Sequence, residues 1–306
     1  MTERPKQVTS THVVRIGRPT PHVIRLVLGG DELAGLPVGE FADQYIKFLF
    51  PVPGAAYPEP IDLATIRRDL PSTQWPRLRA YTVRAFDARA GELTVDVVYH
   101  GDEGLAGPWA ATLRPGDPVR FVGPGGAYSP SPDADWHLLV GDESALPAIA
   151  VALERLPAGA PATVLVEISD PAEEQPLPSP GQVRLTWLHR DDRPVGEALV
   201  AAVRALDFPP GVHAFVHGEA TFVRELRRLL RVERGVPRER LSISGYWRRG
   251  VNDEGWRASK ADWNRQVEAE ESIATPGLTP ARPVSPHRFP SVGSVAASRP
   301  VDRGRA

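Results

Sequence analysis

The amino-acid sequence predicts two domains in series, an antiparallel β-barrel and then an α/β domain built on a parallel sheet. Three observations carry this. Up to about residue 130, short alternating runs divided by Gly and Pro recur with almost no helical periodicity, the pattern of a small antiparallel barrel. Beyond that point apolar strands alternate with helical patterns of ten or so residues, which implies parallel strands joined by right-handed crossovers. Between the two, Ser129-Pro130-Ser131-Pro132-Asp133 has the composition of a linker. At 306 residues the chain is long enough for two cores.

Residues 1–10 are polar and are expected to fray. Val13-Val14-Arg15-Ile16 and His22-Val23-Ile24-Arg25-Leu26-Val27-Leu28, separated by Gly17, Pro19 and Pro21, read as two antiparallel strands before a turn at Gly29-Gly30-Asp31. Tyr45-Ile46-Lys47-Phe48-Leu49-Phe50 is a third strand, and residues 61–76 read as an irregular excursion. A strand through Arg79-Ala80-Tyr81-Thr82-Val83-Arg84 follows. Residues 93–99 alternate cleanly, and Val119-Arg120-Phe121-Val122 is the last strand of a barrel expected over residues 1–130.

In the second domain, expected over 131–273, strands are predicted at 136–140, 163–168, 183–188, 212–216 and 241–246. Helices are predicted at 145–156, 197–206 and 221–231. Trp256, Lys260 and Trp263 at helical spacing predict a closing helix over 252–273. Residues 274–306 read as a disordered tail, rich in Pro, Ser and Arg, with five arginines against one aspartate.

Hydrophobic content of 42% and charged content of 24% are those of a soluble globular protein. A net charge of −2 speaks against a general nucleic-acid binder. With no cysteine there is no disulfide, thiolate ligand or cysteine nucleophile. No apolar run reaches membrane-spanning length and no apolar N-terminal segment is present, so a cytoplasmic protein without a membrane partner is expected. No Gly-x-Ser-x-Gly elbow occurs, and the eight histidines lack metal-type helical spacing. Only Lys6, Lys47 and Lys260 are lysines among the 36 cations, which makes Lys47 easy to notice.

Several stretches could carry chemistry. A strand sends alternate side chains to opposite faces, so Arg79, Tyr81 and Val83 share one face while Thr82 and Arg84 share the other. An aromatic ring, a hydroxyl and a guanidinium so close together suit a planar cofactor bearing phosphates; they also suit a plain amphipathic strand. Asp96, Val98, His100 and Gly101 end a strand in a loop, and Gly104, Ala106 and Trp109 lead into a short helix whose first amides face outward. Asp142, Glu143 and Ser144 lie at the carboxyl end of the first α/β strand, where open parallel sheets place ligands, though helix capping explains them equally. His217, Gly218 and Glu219 end another strand at that edge. Tyr246, Trp247, Arg248 and Arg249 end the last one, offering a cleft wall with cations toward an anionic ligand. The Gly123-Pro124-Gly125-Gly126 turn lacks both a following helix and dinucleotide-loop spacing.

Taken together, Tyr45–Phe50, Arg79–Arg84, residues 96–101, Gly141-Asp142-Glu143-Ser144-Ala145-Leu146-Pro147-Ala148-Ile149, Trp187-Leu188-His189-Arg190, His217-Gly218-Glu219 and Gly245-Tyr246-Trp247-Arg248-Arg249-Gly250 resemble the siderophore-interacting protein family of FAD-dependent ferric-siderophore reductases. The resemblance spans about residues 10–270. It implies a ferredoxin-reductase-like architecture with a barrel that binds FAD and a second domain that receives NAD(P)H. Arg79, Tyr81, Thr82 and Val83 would hold the flavin and its phosphates. Asp96, Val98, His100, Gly101, Gly104, Ala106 and Trp109 would hold the rest of the dinucleotide. NAD(P)H would sit around Asp142, Glu143, Ser144, His217, Gly218, Glu219, Tyr246 and Trp247. Lys47, Arg248 and Arg249 would face an anionic ferric siderophore. Electrons would pass from NAD(P)H through FAD to Fe(III), and no side-chain acid or base is required.

Two positions depart from the family pattern. The chain reads Gly104-Leu105-Ala106-Gly107-Pro108 where relatives have Gly-Pro-Ala-Ser, so one hydroxyl is missing from the pyrophosphate loop. It also has Gly125 where relatives often carry an arginine, leaving two cationic sources at the substrate. The alternatives are a flavin oxidoreductase of the same architecture with another acceptor, and a non-catalytic siderophore- or flavin-binding protein.

Overall fold

The computed structural model describes residues 8–39 and 41–274. Six strands close an antiparallel barrel in the order β1-β2-β5-β4-β3-β6. They are β1 (Val8–Thr20), β2 (Val23–Gly29), β3 (Tyr45–Phe50), β4 (Arg77–Asp87), β5 (Glu92–Val98) and β6 (Pro118–Gly125). Leu26, Leu93, Val95 and Phe121 are fully buried inside it. Closure leaves no unpaired strand edge.

Three expectations for this half are corrected. Residues 8–10 are not frayed, because they pair with Arg120, Phe121 and Val122 of β6. The excursion at 61–76 contains a helix, α1 (Leu63–Asp69), started by Asp62 accepting from Ala64 N at 2.9 Å. Leu63 and Ile66 bury its inner face against Leu49 and Val122, outside the barrel wall. Seven residues are too few to show a helical period between proline-rich flanks. The supposed turn at Gly123-Pro124-Gly125 is the end of β6 and pairs with Tyr45.

The second domain carries a five-stranded parallel sheet in the order β11-β10-β7-β8-β9. These strands are β7 (Trp136–Gly141), β8 (Pro161–Ile168), β9 (Gln182–His189), β10 (Val212–Glu219) and β11 (Leu241–Trp247). Helix α2 (Ala106–Thr112) belongs to the barrel, while α3 (Leu146–Glu154), α4 (Glu197–Arg204), α5 (Ala220–Arg228) and α6 (Asp253–Ala274) cover the sheet. The helix α3 is apolar all round, with Leu146, Ala148, Ile149, Ala150, Val151, Ala152 and Leu153 all buried. A helix of that kind must be covered on both sides. One side meets Leu139, Val166 and Phe215 of the sheet, and the other lies along β4 of the barrel.

On the opposite face, α6 packs Trp256, Trp263 and Val267 into the core shared with α5. Arg224–Glu270, Arg227–Glu271 and Arg238–Glu268 ion pairs secure its outer part. Ala274, assigned by sequence to the tail, closes this helix, and the remainder of the expected tail lies outside the described residues. Among the described residues no helix is long and apolar enough to cross a membrane.

Gly196 starts α4 with φ 88°, donates its N–H to the buried Glu167 at 2.9 and 3.0 Å, and has no room for a Cβ beside Phe222. Gly196→Ala combines left-handed strain with overpacking and is expected to lower stability by roughly 2–4 kcal/mol, read from the urea midpoint.

Candidate functional site

Strand β4 pairs with β3 so that Arg79 faces Phe48, Tyr81 faces Ile46 and Thr82 faces Tyr45. Directly opposed residues share a face. Tyr81 therefore lies on the Phe48 side, with ring centroids 5.4 Å apart, and Thr82 lies with Tyr45 on the other. The pairing with β3 is regular through Thr82, and the pairing of β4 with β5 shifts between Val83 and Ala85, where Arg84 reaches Glu154 of α3 at 2.7 Å. Burial pushes the Tyr81 phenol up from its ordinary value. Arg79, expected at a phosphate, is held by Asp253 at 3.0 Å and Glu254 at 2.7 Å in the first turn of α6. To take a phosphate it must exchange those carboxylates.

Asp96 is likewise taken up. Its carboxylate is buried and gripped bidentately by Arg25, both contacts being 2.7 Å. The two are direct partners in the β2–β5 register, so this carboxylate meets a ligand only by giving up part of that grip. Trp109, half-buried, packs against Phe48 at 5.3 Å and edge-on against Phe50 at 5.0 Å beside the barrel core.

The loop between Val98 and Ala106 leaves open space. Gly101 and Gly104 take φ of 70° and 82° with open space about them, and no side chain caps the start of α2. Backbone amides there are available to an anion approaching closely. His100 sits beside this loop, and burial, with help from His22 and Arg190, holds its pKa below the ordinary value.

At the carboxyl edge of the sheet the predicted residues converge, but on one another. Asp142 is fully buried and accepts from Ser144 N (2.9 Å), Ser144 Oγ (2.5 Å), Glu219 N (2.8 Å) and Trp247 Nε1 (2.9 Å). The ends of β7, β10 and β11 are thereby knotted through a single carboxylate, against which Gly218 also lies. Glu219 caps α5 by accepting from Thr221 N at 2.6 Å and takes Arg249 N at 3.2 Å. Glu143 meets Arg190 at 2.6 Å, and Arg190 also donates to the buried Glu167 at 2.9 Å. His217 is buried beneath the edge, stacked on Phe215 at 3.8 Å with its Nε2 on Ser242 Oγ at 2.9 Å. Burial, aided by Lys260, pushes its pKa down to about 3, so it is a neutral core histidine rather than a cleft wall.

Strands β3 and β4 meet the β11–α6 corner through Arg79, Asp253 and Glu254. Tyr45 carries the Lys47 ammonium 5.5 Å from its ring centroid, and its phenol feels Arg257 of α6. Tyr246, T-shaped on His217 at 4.9 Å, feels Asp43, Asp142 and Tyr45. Lys260 donates to Ser244 Oγ at 3.1 Å, and burial lowers its pKa. Arg248 and Arg249 are exposed on the turn after β11. The structure adds Arg257 to the cations foreseen, itself held by Asp253 at 2.6 Å.

Asp142 also sets a pH response. Burial, with Glu143 next in weight, pushes its carboxyl up to about 6 against an ordinary 3.8. Between those values the folded chain binds more protons than the unfolded one, so this group's stabilisation is complete below the ordinary value. It is lost as pH rises through about 6. Asp142→Asn is expected to flatten that change in denaturant midpoint between pH 4 and about 7. The same substitution should shift the Trp247 indole resonance, since the amide offers one oxygen to four donors.

Comparison with known proteins agrees with this layout. A family model described as siderophore-interacting FAD-binding domain matches residues 12–128, and one described as siderophore-interacting protein matches residues 134–250. The chain is 43% identical over 275 residues to an uncharacterized protein of Mycobacterium tuberculosis, covering 85% of this chain and 95% of that one. It is 34% identical over 242 residues to the ferric vibriobactin reductase ViuB of Vibrio cholerae, covering 77% and 87%. The NADPH-dependent ferric-chelate reductase of Escherichia coli is 30% identical over 242 residues, covering 77% and 91%. Among solved structures, the siderophore-interacting protein SipS of Aeromonas hydrophila superposes with TM-score 0.72 at 31% identity, covering 85% and 99%. By sequence and by fold, the chain belongs to the siderophore-interacting protein family.

Proposed function

We propose that this protein is an NAD(P)H-dependent, FAD-containing reductase of ferric siderophores that works in the cytoplasm. The observation that carries the reading is the pairing of β3 with β4, which sets Tyr81 and Thr82 beside Ile46 and Tyr45, with the Lys47 ammonium over the Tyr45 ring. When bound, FAD supplies the conversion of a two-electron donor into single-electron delivery to Fe(III). Reduction then loosens the iron, because hard oxygen ligands hold Fe(III) far more tightly than Fe(II).

The chain's own residues bind and orient. Tyr81 and Thr82 present a ring and a hydroxyl from opposite faces of β4, which suits a cofactor lying across the strand. Gly101 and Gly104 leave room for its pyrophosphate, and Arg79 supplies a guanidinium once released from Asp253 and Glu254. Ser144, Tyr246 and Trp247 at the sheet edge would receive the nicotinamide nucleotide, positioned by the Asp142 knot. Low dielectric around partly buried Arg257 strengthens its attraction for an anionic chelate.

A yellow protein, bleached by NADH or NADPH and recovering its colour with a ferric tris-catecholate, is the expected spectrum. No bleaching by either nucleotide would sink the reading, and recovery with oxygen or quinones alone would point to another acceptor. Lys47→Ala combined with Arg257→Ala should raise KM for the tris-catecholate about tenfold with flavin content unchanged. An unchanged KM would remove these cations from the substrate site.

A further inference from the structure

Glu173 lies outside both the cleft and the carboxyl-edge knot, in the connection between β8 and β9. It ends the short turn Pro171–Glu173, whose start is capped by Asp170 accepting from Ala172 N at 2.6 Å. Although charged and in a loop, it is only 3% exposed. Its carboxylate takes three donors, Thr20 Oγ1 at 2.6 Å, His22 N at 3.1 Å and His22 Nδ1 at 2.9 Å. All three come from the β1–β2 turn of the barrel. A carboxylate so buried persists where its donors compensate for lost water, and here the other domain provides them.

The contact extends in both directions. On the barrel side, His22 O accepts from Tyr99 N at 2.9 Å, and the Arg18 guanidinium lies 5.1 Å from the Tyr99 ring centroid. Tyr99 leads directly into His100, Gly101 and the open loop before α2. On the other side, the adjacent Glu174 meets His189 Nε2 at 2.8 Å, at the end of β9. The next residue is Arg190, which grips Glu143 and Glu167 at the ends of β7 and β8. A run of hydrogen bonds and short chain steps therefore joins the open loop of the barrel to the donor edge of the sheet.

We infer that Glu173 is a positioning residue that fixes the spacing between the dinucleotide loop at 100–104 and the strand ends at which the electron donor binds. The inference rests on the reductase reading above. Donor and acceptor must approach closely for transfer, and a displacement of about 1 Å can cost about a hundredfold in rate. Loss of Glu173 should slow the step between donor and FAD and spare the step between FAD and iron, which uses the opposite side of the cleft.

The test separates those half-reactions in Glu173→Ala and Glu173→Gln, with the exposed Glu59→Gln as control. Bleaching by the preferred nicotinamide nucleotide is expected to slow about tenfold or more in the alanine variant and less in the glutamine variant. Flavin content and reoxidation of the dithionite-reduced protein by a ferric tris-catecholate should stay within about twofold of the unsubstituted protein. Amide hydrogen exchange over residues 18–24 and 99–104 should accelerate. Bleaching within about twofold of the unsubstituted protein, or an equal fall in both half-reactions, overturns the assignment. If the unsubstituted protein is bleached by neither nucleotide, the reductase reading fails, and unchanged exchange in the variants then overturns the clamp separately.

Discussion

A single helix, α3, determines where everything else can sit. Its sequence is apolar on every side, so it cannot rest on the surface of its own sheet and must also be covered by the barrel. The strand it lies against is β4. The stretch with a ring, a hydroxyl and two guanidiniums is therefore pressed toward the carboxyl end of the first parallel strand. Arg84–Glu154 and the Arg155 guanidinium on Gly39 O at 3.1 Å then set the rotation of one domain against the other.

Around that contact, nearly every charged group expected to meet a ligand already has a protein partner. Arg79 holds two acids of α6, Asp96 holds Arg25, and Glu143 holds Arg190. Asp142 is spent on four donors. Such pairing keeps side chains in place at low conformational freedom, and an anion meeting these groups would have to exchange partners with them rather than fill a bare cation.

The period-2 and period-3.6 patterns made the strands of both domains and the helices α3 to α6 legible, because their apolar residues face extended cores. The helix α1 was not legible, since two buried residues in seven carry no period. For the site, residue types were readable but partners were not. Asp96 and Arg25 are neighbours only through the β2–β5 register, and Trp109 finds Phe48 and Phe50 only once the barrel closes. His217 looked like a cleft residue because it ends a strand at the right edge; the alternation of β10 turns its ring inward onto Phe215. Capping, weighed equally with ligand binding for Asp142, Glu143 and Ser144, does not describe them, since no side chain caps α3 and Asp142 closes a turn on Ser144 N; the side-chain cap lies instead at Glu219, on Thr221 N.

The near-absence of lysine has a practical side. Of the three side-chain amines in the chain, Lys47 stands on Tyr45 and Lys260 on Trp256 and Ser244. Guanidiniums, which ignore acylating reagents near neutral pH, supply the other positive side chains apart from histidine. Acylation chemistry that would scatter labels over an ordinary surface meets few side chains here. Burial favours the uncharged amine at Lys260. Lys47, on β3 beside β4, offers an attachment point for a fluorophore or spin label next to the proposed cofactor seat.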